Sequence, residues 1–144
     1  MKKMFIFLTI VVIIVALISY KYISYKNEIK EIQKENAEFD KYNGQEVYGL
    51  DVASMINKAI DKNTKNKVEK NEDGSFKQND STSINIEVYM ADNETTYNME
   101  TIYKSGTEQF VQYYGNIKFK CSNIEYHKNT GRIKYIRFEQ VTNS

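Results

Sequence analysis

The sequence holds one cysteine, Cys121, and one histidine, His127, so a thiol–imidazole pair has to use both. Such a pair makes a thiolate nucleophile only when sulfur and ring come within hydrogen-bond reach, about 3 Å. The two residues lie six positions apart on one predicted strand, which at about 3.3 Å per residue separates their backbones by roughly 20 Å. The spacing therefore reads as a small buried thiol and a histidine at a hairpin end. A single cysteine also leaves no internal disulfide, so folding rests on packing. The run Glu69-x-Asn71-x-Asp73-Gly74 follows a calcium loop part of the way, with Gly at position six and Asp80 at position twelve. That loop asks for Asp at position one and a bidentate Glu at position twelve, and Lys77 puts a cation at position nine. An Asp-Gly hairpin turn accounts for the segment better.

Other chemistries find less support. One His and one Cys cannot make a zinc tetrad without several carboxylates, and no glycine cluster resembles a phosphate loop or dinucleotide fingerprint. Nothing singles out an acid–base pair among 19 acidic residues. The expectation is no catalytic residue, no metal ligand and no cofactor. Asn79-Asp80-Ser81 and Asn93-Glu94-Thr95 match the glycosylation sequon, which arises by chance in an Asn-rich chain and matters only in a eukaryotic secretory setting. Tyr113-Tyr114, among 12 tyrosines, read either as an aromatic recognition surface or as half-buried core with hydroxyls at the edge.

The elements that must position these residues begin with an apolar helix. Met4 to Ile18 carries Thr9 as its one polar residue, and Ser19, Tyr20, Tyr22 and Ile23 extend it. At about 1.5 Å per residue, Met4 to Ile23 covers roughly 30 Å, the thickness of a bilayer core. Tyr20 and Tyr22 fall at the headgroup level, and Lys2 and Lys3 favour a cytoplasmic N-terminus, although Lys21, Lys26 and Lys30 sit on the other flank. A cleaved signal peptide needs small residues one and three positions before the cut; Ala16 with Ile18, or Leu17 with Ser19, fit poorly. A buried core helix is the third reading, since the stretch is apolar all round.

Beyond the anchor, Tyr22, Tyr25, Ile29, Ile32, Asn36 and Phe39 keep a 3-4-3-4-3 spacing. The stripe either packs on its own domain or forms a parallel self-association seam with Asn36 as the register-setting polar residue. Asn43-Gly44 marks a turn. Leu50 to Lys62 is the clearest soluble helix, with Val52, Met55, Ile56, Ala59 and Ile60 on one face, Gly49 as N-cap and Asp51 in the first turn. Asp61 to Ser83 is polar, with short strands possible around Lys67–Lys70 and Ser75–Gln78. Ile84, Ile86, Val88 and Met90 alternate as the inward side of a strand. Tyr97 to Tyr114 reads as a helix interrupted at Ser105-Gly106, with Met99, Ile102, Tyr103, Phe110, Val111 and Tyr114 on one face. Ile117–His127 and Arg132–Val141 form a hairpin. The change of apolar parity from Ile117, Phe119 and Cys121 to Ile124 and Tyr126 predicts a bulge near Ser122-Asn123.

These elements predict an α+β protein: a transmembrane anchor over residues 1–23, a membrane-proximal helix and linker over 24–44, and a small α+β domain over 45–144. The domain is expected to hold an antiparallel sheet of three to four strands packed with one or two helices. With a formal charge of +1, the chain lacks the electrostatic footprint of a nucleic-acid binder.

Glu46 to Asn63 (EVYGLDVASMINKAIDKN) and Cys121 to Gln140 (CSNIEYHKNTGRIKYIRFEQ) resemble segments of small membrane-anchored proteins of low-GC Gram-positive bacteria, a group with no assigned activity. The resemblance implies a cell-surface location. The layout of apolar helix, amphipathic continuation and small sheet also resembles type IV pilin-like subunits. Those families carry Gly before a cleaved Phe or Met and a Glu five residues later; here Lys3 precedes Met4, and Leu8 stands at the Glu position. The expected function is a non-enzymatic, single-pass, extracytoplasmic interaction or assembly module. It would hold the bilayer through residues 4–23 and bind a protein partner or a second copy. The alternatives are a small-ligand or envelope-stress sensing domain, and a hydrolase or transferase that uses carboxylates.

Overall fold

A computed structural model describes residues 1–142. The chain separates into two compact units, Met1–Glu35 and Asn36–Ser144. The first unit is a single helix, the start of α1 (Lys2–Asp40). Its apolar window is long enough to cross a bilayer and is 0% buried within the protein. Apolar all round and long enough to span, the helix is a candidate membrane span. Thr9 fits such a span because its Oγ1 donates to the Phe5 carbonyl at 2.9 Å, which satisfies the hydroxyl within its own helix.

The second unit opens with the last turn of α1. Phe39 is buried there, and the turn at Lys41–Gly44 ends the helix, with Gly44 at φ 71°. Asn36 corrects the register-setting reading. Its Nδ2 donates to the Gly131 carbonyl at 2.7 Å, and its Oδ1 accepts from the Ile133 N–H at 3.1 Å. The side chain thus acts as a piece of backbone at the mouth of the hairpin. Tyr126 donates its hydroxyl to Asp40 Oδ1 at 2.6 Å on the same turn. The two C-terminal positions of the stripe, Asn36 and Phe39, therefore face their own domain.

The elements that follow are β1 (Glu46–Tyr48), α2 (Gly49–Lys65), β2 (Asn85–Met90), β3 (Thr95–Asn98), α3 (Met99–Ser105), α4 (Thr107–Tyr114), β4 (Lys118–Tyr126) and β5 (Ile133–Gln140). The protein is α+β, as its patterning predicts. The five strands lie in the order β1-β4-β5-β2-β3 and every pairing is antiparallel except β2 with β5. The sheet therefore has one strand more than expected and is mixed, and three helices accompany it. The two strands that the sequence reading did not place, β1 and β3, hold three and four residues, too few for alternation to stand out. Thr95–Asn98 overlaps the segment read as the start of a helix. The parallel pair joins segments far apart in sequence, which no local pattern can report.

The helix stripe and the strand parities meet in one core. Val52, Met55, Ile56 and Ala59 from α2 are buried with Ile86 and Val88 of β2, Phe119 and Cys121 of β4, and Ile136 and Phe138 of β5. The register of β4 on β5 shifts between Cys121 and Asn123, where the parity change required a bulge, and again between Glu125 and Tyr126. The other face of the sheet is polar. Tyr135 Oη donates to Glu87 Oε2 at 2.6 Å, and Arg137 bridges Glu87 and Glu139 at 3.3 and 2.8 Å. One buried and one solvated face is the usual state of a sheet with helices on a single side.

Gly49 is the first residue of α2, and Tyr48 is its N-cap, a one-residue shift from the expected cap. The glycine is needed for close approach, since a Cβ there would lie 2.0 Å from the Tyr114 carbonyl oxygen. Gly49 N–H donates to Ile117 O at 2.9 Å and Leu50 N–H to Gly115 O at 3.2 Å. Two of the N–H groups that a helix start leaves unpaired are thereby satisfied at the end of α4.

Candidate recognition cleft

Cys121 packs into the core opposite Phe138, while His127 Nε2 meets the Ser83 carbonyl at 2.7 Å in a buried setting. The two side chains have separate partners. Burial pushes the Cys121 thiol up to about 11. The Tyr126 phenol goes up to about 12, first through its hydrogen bond to Asp40 and then through burial. Both groups are neutral acids whose pKa is raised by folding. The folded chain holds these protons longer than the unfolded chain, whose values are about 8.5 and 10. Their contribution is complete below about pH 8.5 and is lost as pH rises toward 12. Urea unfolding followed across that range should show stability falling from about pH 9 upward, with the early part of the fall absent in Cys121→Ala. Ellman's reagent should find no reactive thiol in the native chain and one in guanidinium. Native reactivity, or an unchanged profile in the variant, would contradict this placement.

The calcium-like segment is a tight turn. Asn71 N–H donates to Ser75 O, Gly74 sits at φ 81°, and Lys70 bridges to Phe76. Asp73 Oδ1 accepts from Ser75 N and Oγ at 2.8 and 2.6 Å, which holds its carboxyl below the usual range. Glu69 pairs with Lys77 at 3.1 Å, so positions one and nine of the would-be loop hold each other. Both sequon asparagines are engaged as well. Asn79 Oδ1 accepts the N–H groups of Ser81, Thr82 and Ser83, and Asn93 Nδ2 donates to Tyr97 Oη at 3.0 Å. Glu87 and Glu139 converge on Arg137, which pairs with both.

The tyrosines lead to the feature with a shape. Gly106, at φ 95°, breaks the helical segment into α3 and α4, a backbone conformation that glycine adopts without steric penalty. The break sets α3 against β2 and the outermost strand β3 and turns α4 onto α2 and α3. Between them lies a cleft of about 260 Å³. Met90 and Tyr97 contribute from the strands, Ile102 and Thr101 from α3, and Phe110, Tyr113 and Tyr114 from α4. Phe110 links this cleft to the core. Its ring centroid is 5.3 Å from Tyr114 and 6.1 Å from Phe119, with both pairs tilted by 37°, an arrangement favoured by the ring quadrupoles. Asn93 pins the Tyr97 hydroxyl, whereas Tyr113 is 68% exposed. The polar lining, Ser105 and Gln109 with Thr101, is uncharged.

Tyr113-Tyr114 stood out in the sequence, and Ile102, Phe110 and Tyr114 share the expected helical face. Tyr103 does not share it and is 47% exposed. Met90, Tyr97 and Gln109 had no signal of their own, because they reach the cleft only through the pairing of β2 with β3 and the bend at Gly106. Comparison with known protein families, with curated proteins and with solved structures finds no match.

Proposed function

We propose that this chain is a membrane-tethered, extracytoplasmic recognition module that binds a partner protein at the cleft between α3 and α4. The observation that carries the reading is the cleft itself: an aromatic-walled, solvent-open hollow with an exposed tyrosine at its rim. Tyrosine and other aromatic residues are enriched at protein interfaces, and tyrosine is prominent among the few residues that carry most of the binding energy there. The volume, about 260 Å³, lies just under the roughly 300–1,000 Å³ typical of small-molecule sites. It suits one inserted side chain better than a whole metabolite, which places the sensing alternative second. The uncharged lining gives the carboxylate-enzyme alternative no acid pair at this site. Tethering is supported by α1, and the basic Lys2-Lys3 end favours an N-terminus in the cytoplasm.

Two measurements test the reading. A single cysteine at Lys128, in a Cys121→Ser background, should react with a membrane-impermeant maleimide on intact cells; labelling only after lysis would put the domain on the other side. A photo-crosslinking residue at Tyr113 should give one discrete protein adduct in those cells, absent when the same residue replaces Tyr48. Equal adducts at both positions, or none at Tyr113, would end the proposal.

A further inference from the structure

We infer that the partner presents an extended, basic-flanked peptide segment that adds as a sixth strand along β3 and sets one large apolar side chain into the cleft. The inference rests on the recognition reading above. β3 closes one side of the sheet, and no strand lies beyond it among the described residues. Past Thr95, whose N–H is taken by Asn93 Oδ1 at 3.2 Å, every second residue of an outermost antiparallel strand turns its backbone donor and acceptor away from the sheet. Proteins guard such edges by keeping them short, as β3 is with four residues, and with lysine, proline or a bulge. Thr95–Asn98 has none of these residues and pairs with β2 in unbroken register.

The register then fixes what an added strand would meet. Tyr97 sits opposite Val88, a buried inward-facing residue of β2, so Tyr97 and the cleft belong to the helix-covered face. Side chains alternate along a strand, and every second residue of an added segment would face the side on which the cleft lies. This is strand addition with a pocket for alternate side chains, where backbone bonds supply affinity and the pocket supplies selectivity.

Charge selects the flanks. Glu94 precedes β3 directly, Asp92 lies in the same hairpin turn, and Glu108 adjoins the cleft residue Gln109. The cation of α3, Lys104, donates its Nζ to the Asp73 carbonyl and is committed to that turn. Acidic residues adjoining β3 and the cleft in sequence, of which Asp92 also accepts from Gln140 Nε2 at 2.8 Å, match a segment with lysine or arginine at its ends.

The test uses the full chain in lipid nanodiscs and a synthetic seven-residue peptide. The probe has phenylalanine at its centre, alternating valine and threonine around it, and lysine at both ends. Binding is read by fluorescence anisotropy, and amide exchange is followed at Thr96, Tyr97 and Asn98. The peptide should slow exchange at whichever of those amides point away from β2, which alternate along the strand, and leave those paired with β2 unchanged. Affinity should fall at least about tenfold when alternate peptide amides are N-methylated, when the phenylalanine becomes alanine, when glutamate replaces the lysines, and in the cleft-filling variant Gln109→Trp with an unchanged melt. Equal binding of the N-methylated peptide would overturn strand addition and leave recognition at the cleft standing. Absence of binding at about 1 mM, a dissociation constant worth only about 4 kcal/mol, would overturn the inference; a missing Tyr113 adduct as well would remove the reading beneath it. Exchange that slows with protein concentration alone would show a second copy on this edge, and would also overturn it.

Discussion

Ile56→Asp is expected to leave the globular unit unfolded at 25 °C, whereas Ile56→Val should fold and lose about 1 kcal/mol. Ile56 is 0% exposed in the middle of the α2 stripe, between Val52 and Ile60 and within the core that includes Ile86 and Phe138. Removing the aliphatic side chain costs about 2–5 kcal/mol through lost burial and the space left behind. A carboxylate in its place adds several kcal/mol more, because nothing in that stripe can pair with it. A domain of this size holds about 5–15 kcal/mol in all, so the two losses together consume it. The charge also fixes the sign of a pH effect. An apolar site raises the carboxyl's pKa in the folded state, so the charge penalty is fully present above that value and is relieved as pH falls through it. Circular dichroism and urea titration of the full chain in detergent would check both parts. A cooperative transition with the parent's midpoint near neutral pH would mean that α2 buries another face.

The contrast between what patterning showed and what it hid follows from the range of the interactions. The α2 stripe and the β4–β5 hairpin are local, and both were legible, down to the bulge at Ser122 that reconciles inward Phe119 and Cys121 with Ile124. The break between α3 and α4 was marked by Ser105-Gly106. Asn36 was visible as a polar residue in an apolar stripe. A register function in a two-helix seam and a bond to the hairpin mouth leave the same trace in sequence, and only the contact with Gly131 and Ile133 separates them. The cleft was half legible for the same reason. Its α4 wall is a local tyrosine pair, while Met90 and Tyr97 arrive through the pairing of β2 with β3 and the bend at Gly106.

Asn63→Leu is the second large effect, expected to cost about 2–5 kcal/mol although the substitution makes α2 more apolar and more helix-prone. Asn63 lies seven residues after Ile56 and four after Ala59, so it continues the buried stripe where the sequence turns polar. Its position is fully buried. Nδ2 donates to the Ile84 carbonyl and Oδ1 accepts from the Ile84 N–H, each at 2.8 Å. The amide therefore completes a strand-like pair just before β2 begins, where no neighbouring strand satisfies Ile84. Leucine would leave both backbone groups buried and unpaired, at about 1–3 kcal/mol each, and the apolar gain cannot reach them. Asn63→Asp separates the terms: it keeps an acceptor for the N–H but sets an oxygen against the Ile84 carbonyl and buries a charge. It should be at least as damaging as leucine near neutral pH and should improve on acidification, when a protonated carboxyl can donate again. Because His127 fixes the adjoining Ser83 carbonyl, Asn63→Leu and His127→Ala should combine non-additively, both releasing the same entry to β2. Urea titrations with amide exchange at Ile84 give the comparison; a leucine variant as stable as the parent would mean that water, not Asn63, completes that strand.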